Sequence, residues 1–143
     1  MVAPSLPLLA RMLRLLPSEM PGKARLARLL LRAHLDARDV YLRDRYGCTL
    51  CVPSLREPVG FHLLVNATYE RSAVELVLAR LRPGSVFVDV GANVGTFALP
   101  AARRAGSRGL VLAVEPSPII RSYLARNVAL NGLENVRLDG VNK

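Results

Sequence analysis

Residues 86–95 read Val-Phe-Val-Asp-Val-Gly-Ala-Asn-Val-Gly, and no other stretch constrains the fold of this chain as strongly. An apolar run that carries one acid, Asp89, breaks into a turn with glycines at 91 and 95, and Thr-Phe-Ala-Leu follows at 96–99. This order predicts a buried strand, a tight glycine loop and the start of a helix. Open α/β sheets bind ligands at the carboxyl ends of their strands, so Asp89 and the loop are candidate binding residues.

A second acid stands in register with this loop. The apolar run 110–114 ends in Glu115, twenty residues after Gly95. An acid in this position can accept hydrogen bonds from the two hydroxyls of a ribose. The glycine loop and the distant acid together predict a site for a nucleoside cofactor, whereas the alternative is that Asp89 and the glycines only shape a turn.

The glycine spacing argues against two common nucleotide sites. In the dinucleotide pattern Gly-x-Gly-x-x-Gly, Asn93 would replace the second glycine and Thr96 the third, and no Gly-Lys-Ser/Thr of a phosphate loop follows. An acid two residues before the first glycine suits a ligand with a positive charge. S-adenosylmethionine combines such a charge, its methionyl amino group, with a ribose for Glu115. A dehydrogenase is a poor candidate.

Several blocks of the sequence resemble the FkbM-type methyltransferases, which are S-adenosylmethionine-dependent enzymes of the Rossmann-like class. The blocks are Asp-Val-Gly-Ala-Asn-Val-Gly at 89–95, Glu-Pro-Ser-Pro at 115–118, the asparagine-rich segment 127–136, and the lead-in pieces Tyr69-Glu70 and 81–84. The resemblance covers roughly residues 58–138 as an ordered set.

This resemblance implies an α/β fold, S-adenosylmethionine as cofactor, and methyl transfer to a hydroxyl of a small molecule or glycan. It implies cofactor contacts from six residues: Asp89, Gly91, Asn93, Gly95, Glu115 and Glu70. Asp139, after the third strand, is an open candidate for an adenine contact or a surface acid. The sequence identifies no general base and predicts no metal.

The chain ends at Lys143, before the fourth strand of that family with its Ile-Lys-Ile-Asp-Val-Glu-Gly-like block. We therefore expect an incomplete class I methyltransferase sheet of βαβαβ order, preceded by helices and a small β lead-in. The alternative is a non-catalytic fragment that binds the cofactor weakly or only folds. An exposed edge on such a sheet would invite pairing with another chain, although the oligomeric state is not predicted.

Basic residues give the chain a formal net charge of +9, and 18 of its 20 basic residues are arginine. This balance could attract nucleic acid, and an RNA-directed methyltransferase is an alternative function. The charge is spread along the chain and aromatic residues are only 5% of it. We therefore favour solvated basic faces and a small-molecule or glycan acceptor over nucleic acid.

The amino-terminal third predicts no enzymatic chemistry. Residues 1–16 can form a short amphipathic helix, for which packing on its own domain, or a loose segment, is favoured over a membrane anchor. Cys48 and Cys51 lack the further ligands of a zinc site, so we expect two buried thiols in a reducing, cytoplasmic setting.

The predicted organisation has two parts: a helical segment 1–46, and a partial cofactor domain 47–143 with its β lead-in at 47–68. Periodicity predicts a helix over 24–43 and extended segments at 49–52 and 61–65. Ser72 and Glu75 have the spacing of a capping box for a helix that runs to Leu81. Strands are expected at 86–90, 110–114 and 135–138, with helices at 95–105 and 118–130; Pro100 should kink or delay the first of these helices.

Overall fold

The structure is a computed structural model that describes residues 8–140. The elements, in chain order, are α1 (Leu8–Leu13), α2 (Lys23–Leu30), a 3-10 turn (Arg32–His34), β1 (Arg38–Arg43), β2 (Thr49–Ser54), α3 (Pro58–Asn66), α4 (Arg71–Arg80), β3 (Val86–Val90), α5 (Ala98–Ala105), β4 (Leu110–Val114), α6 (Pro118–Leu130) and β5 (Val136–Asp139).

The carboxyl-terminal half is the predicted βαβαβ unit. Strands β3, β4 and β5 pair in that order, all parallel, with Val88 opposite Leu112 and Leu112 opposite Arg137. Helix α6 begins where expected, because Ser117 caps it by accepting a hydrogen bond from the backbone of Ile120. The predicted α/β class and the order of these elements are confirmed.

Helix α5 begins at Ala98, three residues later than the predicted start at residue 95. Pro100 therefore lies in the first turn of the helix, where proline is best tolerated. It interrupts a series of backbone bonds, because the N–H of Leu99 donates to Gly95 and that of Ala101 donates to Phe97, whereas Pro100 has no N–H to donate. The later start of the helix agrees with the predicted delay.

One face of the parallel sheet is covered and the other is open. Val111 and Ala113 point into the core that α5 and α6 close, and both are fully buried. On the opposite face Val86, Val88 and Val90 are 67%, 53% and 79% exposed. Within residues 8–140, β3 is an edge strand that pairs with β4 alone.

The predicted helix over 24–43 is wrong in its second half. Helix α2 ends at Leu30, and residues 38–43 form β1, which pairs antiparallel with β2. The Asp44 carboxylate accepts hydrogen bonds from the backbone of Tyr46 and Cys48 and so forms the turn of this hairpin. Long-range pairing overrides the helical periodicity of β1, and the domain boundary predicted at residue 46 falls inside the hairpin.

Two local predictions nearby are also wrong. Residues 61–65 are not extended but belong to α3, whose first turn contains Pro58. A short apolar run fits a buried helix as well as a strand, and the proline favours the helix. The capping box at Ser72 does not form, because α4 starts one residue earlier and Glu75 pairs with Arg71 at 2.8 Å.

Candidate functional site

The glycine loop is fixed to the end of the neighbouring strand by its own backbone. The N–H groups of Gly91 and Ala92 both donate to the carbonyl of Val114, at 2.8 and 3.0 Å. Gly91 has a φ of +83°, and no atom lies within 4 Å of the position a Cβ would take. The loop therefore leaves the strand through a left-handed turn that glycine adopts without strain, and it leaves open space beside Gly91.

Glu115 fastens the two strand ends together. Its side chain is buried, and its two oxygens accept hydrogen bonds from the backbone N–H of Asn93 and of Ser117, both at 2.9 Å. Asn93 is held at φ +50° and its side-chain oxygen accepts from the N–H of Val94. A carboxylate has about four acceptor positions, so Glu115 keeps lone pairs for a ligand while its orientation is locked.

Asp89 lies one strand away, opposite Ala113 in the sheet. One of its carboxylate oxygens, Oδ2, is buried without a hydrogen-bond partner among the described residues. Burial raises the pKa of Asp89, and the backbone amide of Ala98 opposes that rise in part. A buried acceptor without a donor is costly, so this oxygen is suited to a cationic or N–H-bearing ligand.

The structure explains the glycine at position 95 by packing, whereas the sequence suggested contact with a cofactor. A Cβ there would lie 2.1 Å from Leu99 Cδ1 and 2.9 Å from Leu124 Cδ1, and φ is +100°. Both neighbours belong to the hydrophobic core. Core packing and backbone conformation thus explain this glycine, and its contact with a cofactor stays a prediction.

Glu70 is not joined to the other predicted site residues by any hydrogen bond in the described part of the chain. It is exposed, has a φ of +47°, and begins α4 by accepting the N–H groups of Ala73 and Val74 on its carbonyl. It lines a cavity of about 520 Å³ with His62 and Tyr69. Its assignment to the cofactor stays a prediction.

Tyr69 is the residue that connects these regions. It lines the Glu70 cavity and also a second one, of about 640 Å³, whose wall includes Asn93 of the glycine loop. The apolar part of that wall comes from the lead-in and the start of α6, with Val52, Val59 and Ile120. We call this second space the lead-in cavity. It places a half-enclosed, mainly apolar space directly beside the candidate site.

Sequence reasoning missed two residues that position Glu115, and it missed the place of Tyr69 between the two cavities. The backbone of Ser117 and the guanidinium of Arg121, which donates to the carbonyl of Glu115 at 2.9 Å, both position the acid. Tyr69 was noted only as part of the lead-in motif. The pair Ser117-Pro118 was the available signal in the sequence. It marks the start of α6 directly after Glu115, and so it indicates that the backbone turns back toward this acid.

The two cysteines stand apart from this site. Both are buried free thiols, and burial together with the charge of Asp44 raises the pKa of Cys48 to about 12. Among residues 8–140, no cluster of side chains has the composition of a metal site. Asp139 is exposed, and its carbonyl accepts the N–H of Glu115.

Sequence comparison finds methyltransferase relatives for this arrangement. Protein-L-isoaspartate O-methyltransferase 1 of Archaeoglobus fulgidus is 30% identical over 99 residues, which are 69% of this chain and 45% of that protein. The tRNA (guanine(37)-N(1))-methyltransferase of Leishmania braziliensis is 34% identical over 117 residues, 79% of this chain and 14% of the relative. The 23S rRNA (uracil(1939)-C(5))-methyltransferase RlmD of Acinetobacter baylyi is 36% identical over 103 residues, 65% of this chain and 22% of the relative. The chain thus spans less than half the length of these curated relatives.

Solved structures show the same architecture. A transferase from Pyrococcus horikoshii matches 85% of this chain, and 48% of its own, with a TM-score of 0.59 and 17% identity. TYW2 of M. jannaschii, solved in complex with AdoMet, matches 73% of this chain and 44% of its own with a TM-score of 0.54 and 23% identity. The fold is that of the class I methyltransferases. No family model matches the chain, so the FkbM-type resemblance stays a prediction.

Proposed function

We propose that this chain binds S-adenosylmethionine and provides the cofactor-binding part of a methyltransferase. The observation that carries the proposal is the bond between Glu115 and the backbone of Asn93, which locks an acid and a glycine loop together at the carboxyl ends of two parallel strands. The methyltransferase relatives and the class I fold support it.

The residues present fit the chemistry of this cofactor. The unpartnered Oδ2 of Asp89 is matched to an ammonium group, and the free lone pairs of Glu115 are matched to ribose hydroxyls. The open space at Gly91 admits a ligand close to the backbone. When bound, the cofactor supplies an activated methyl group on a sulfonium centre. The protein's part is to hold donor and acceptor in line and to exclude water.

For the methyl acceptor we propose a hydroxyl of a small molecule or glycan, as the FkbM-type resemblance implies. The lead-in cavity is our candidate for its position, because it adjoins Asn93 and is large enough for a small ligand. Its wall carries Arg38, Arg56 and Glu57, and Arg56 is paired with Asp36, so these charges largely compensate one another and select no particular charge on the acceptor.

A second candidate acceptor is RNA. The guanidinium groups of Arg43 and Arg103 both come within 3.8 Å of the Cβ position of Gly47, so two arginines from distant parts of the chain share one surface. The tRNA and rRNA methyltransferases among the relatives support this candidate. RNA binding that weakens steeply with added salt, and that Arg43→Gln with Arg103→Gln reduces, would favour it over the hydroxyl acceptor.

Calorimetric titration with S-adenosylhomocysteine tests the cofactor proposal. We expect saturable binding that Asp89→Asn weakens about tenfold or more, since one charge-assisted hydrogen bond is lost. Glu134→Gln is the matched control, because it removes one exposed charge at the opposite end of the sheet and should leave affinity unchanged. A chain that is folded by circular dichroism but binds nothing would refute the proposal.

A further inference from the structure

The two amino-terminal helices carry an apolar surface that the fold does not use. In α1 only Ala10 and Leu13 turn inward, and in α2 the buried residues are Lys23 and Ala27. Eight large apolar side chains of this region are exposed instead: Leu8, Leu9, Met12, Leu15, Leu16, Leu26, Leu29 and Leu30. The sequence favoured a helix over residues 1–16 that packs on its own domain or is loose. Residues 1–7 lie outside the described part of the chain, and α1 packs inward through Ala10 and Leu13 while its other large apolar side chains stay exposed.

The exposed leucines of α2 form a stripe. Leu26, Leu29 and Leu30 have the i, i+3, i+4 spacing that places side chains on one side of a helix. At about 100° per residue this stripe adjoins the buried side, which Lys23 and Ala27 mark, and Leu30 projects only about 20° from Lys23. The apolar side of the helix is therefore wider than the part that the fold buries, and Leu29, 72% exposed, lies farthest out.

A basic stripe runs beside it. Arg25, Arg28 and Arg32 recur at i, i+3 and i+7 and are exposed, with Arg28 also stacking on the ring of Phe61 at 4.3 Å. Between residues 8 and 38 the chain has two acids, Glu19 and Asp36, and seven basic residues: Arg11, Arg14, Lys23, Arg25, Arg28, Arg32 and Arg38. Asp36 is paired with Arg56 across the surface.

We propose that α1 and α2 together form a docking surface for an anionic lipid bilayer. We call it the leucine–arginine surface, made of the exposed leucines and Met12 listed above with Arg11, Arg25 and Arg32. A helix with adjoining leucine and arginine faces lies in the plane of the headgroup region, its apolar side chains below and its arginines at the phosphates. The surface thus matches anionic lipid in both apolar area and charge, and this activity is separate from cofactor binding.

The attachment is peripheral. None of the helices between residues 8 and 140 has the length and hydrophobicity needed to cross a bilayer. Binding therefore depends on a modest apolar area plus charge, and it is reversible and sensitive to salt.

Vesicle sedimentation of the full chain tests the proposal. We expect the protein to sediment with phosphatidylcholine vesicles that contain phosphatidylglycerol, much less with phosphatidylcholine alone, and less as salt is added. Leu15→Gln with Leu29→Gln should lower the partition onto anionic vesicles about tenfold or more, because two inserted side chains are lost. These positions are 85% and 72% exposed, so the double variant should keep the wild-type circular dichroism and melting temperature.

Matched variants on α4 and directly after it, which we call the α4 variants, serve as controls. Leu76→Gln removes an apolar side chain of similar exposure, and Arg80→Gln with Arg82→Gln removes two exposed charges; neither should change the partition. Arg25→Gln with Arg32→Gln should lower it, by about fivefold per arginine, on anionic vesicles only.

Three outcomes would overturn the proposal. The first is a folded wild-type chain that does not sediment with anionic vesicles. The second is a loss of binding in the α4 variants equal to that in the leucine variant, since binding would then be a property of the whole surface. The third is a dimer in light scattering that the leucine variant converts to a monomer, since the occupant of this surface would then be a second copy of the chain.

Discussion

The side-chain amide of Asn127 forms hydrogen bonds with both the backbone N–H and the backbone carbonyl of Cys51. Its side-chain oxygen accepts the N–H of Cys51 at 2.7 Å, and its side-chain nitrogen donates to the carbonyl of Cys51 at 3.1 Å and to that of Val94 at 2.9 Å. Asn131, one turn later in α6, repeats the pattern on Thr49. The two amides take the place of a third strand along the free edge of β2. They join the lead-in hairpin to the helix of the cofactor unit and, through Val94, to the glycine loop.

Replacement of Asn127 by alanine should destabilise the protein strongly. Asn127 is fully buried, and its loss leaves three backbone groups without partners, each worth about 1 kcal/mol or more. We expect the free energy of unfolding to fall by about 3 kcal/mol or more in urea titration. Ser122→Ala, an exposed change on the same helix, should alter it by less than about 0.5 kcal/mol. Equal effects of the two substitutions would show that the hydrogen bonds of the Asn127 side chain contribute nothing to the free energy of unfolding.

The two loop glycines should respond differently to alanine. Gly95→Ala places a Cβ 2.1 Å from Leu99 Cδ1 and should cost more than about 2 kcal/mol of stability. Gly91→Ala meets no atom within 4 Å and should cost only the backbone strain, about 1–2 kcal/mol. Thermal melts rank the variants, and a Gly91 variant that is the less stable of the two would contradict the packing reason given for Gly95.

The alanine variants of Gly91 and Gly95 can also distinguish a role in packing from a role in ligand binding. If Gly91 faces the ligand, Gly91→Ala should weaken S-adenosylhomocysteine binding out of proportion to its small stability loss. Calorimetry at a temperature where both variants remain folded measures this directly. Unchanged affinity in the Gly91 variant would remove that residue from the proposed site.

The order of elements after residue 84 follows from local signals. Glycine, proline and capping serines separate short apolar runs there, and each run has one compatible structure. Residues 31–43 lack such signals, and β1 is a strand only because residues 49–54 of the same hairpin pair with it. Asp44 and Gly47 were the available hint of a hairpin, since the Asp44 carboxylate organises the turn.

Some features of the candidate site also follow from local signals in the sequence, and others do not. Parallel strand order alone brings the ends of β3 and β4 together, so Asp89, Gly91 and Glu115 could be assigned to one edge of the sheet. The bond from Asn93 to Glu115, the packing role of Gly95 and the position of Tyr69 depend on side-chain geometry that no spacing rule contains. Glu70 shows the limit, because a motif match placed it in the site and no hydrogen bond in the described chain joins it to the other site residues.

Glu115 should matter for stability before any ligand binds. Glu115→Gln replaces one acceptor oxygen by an amide that faces a backbone N–H, of Asn93 or of Ser117. We expect a loss of about 1–3 kcal/mol in unfolding free energy, as for an unsatisfied buried donor. Asp139→Asn, at the end of β5, is the control. A stable Glu115→Gln variant with weakened cofactor binding would mean that the acid serves the ligand alone.

Asp89 should show the opposite behaviour, with stability gained as binding is lost. Burial raises its pKa in the folded protein above the unfolded value, so the folded state holds the proton more tightly. Its contribution to stability is therefore complete below the unfolded pKa and is lost as the pH rises through the folded pKa. Asp89→Asn removes the buried charge, and it should raise the melting temperature at neutral pH.

The difference in melting temperature between wild type and Asp89→Asn should shrink as the pH falls below the unfolded pKa, where both side chains are neutral. Scanning calorimetry of both proteins, from neutral pH to below the unfolded pKa of Asp89, gives the sign of this difference in melting temperature. The measurement needs no ligand. The S-adenosylhomocysteine titration of the same variant should show weaker binding. A variant that is less stable than wild type at neutral pH would mean that the ionised carboxylate stabilises the strand, and that its unpartnered oxygen is not held in reserve for a ligand.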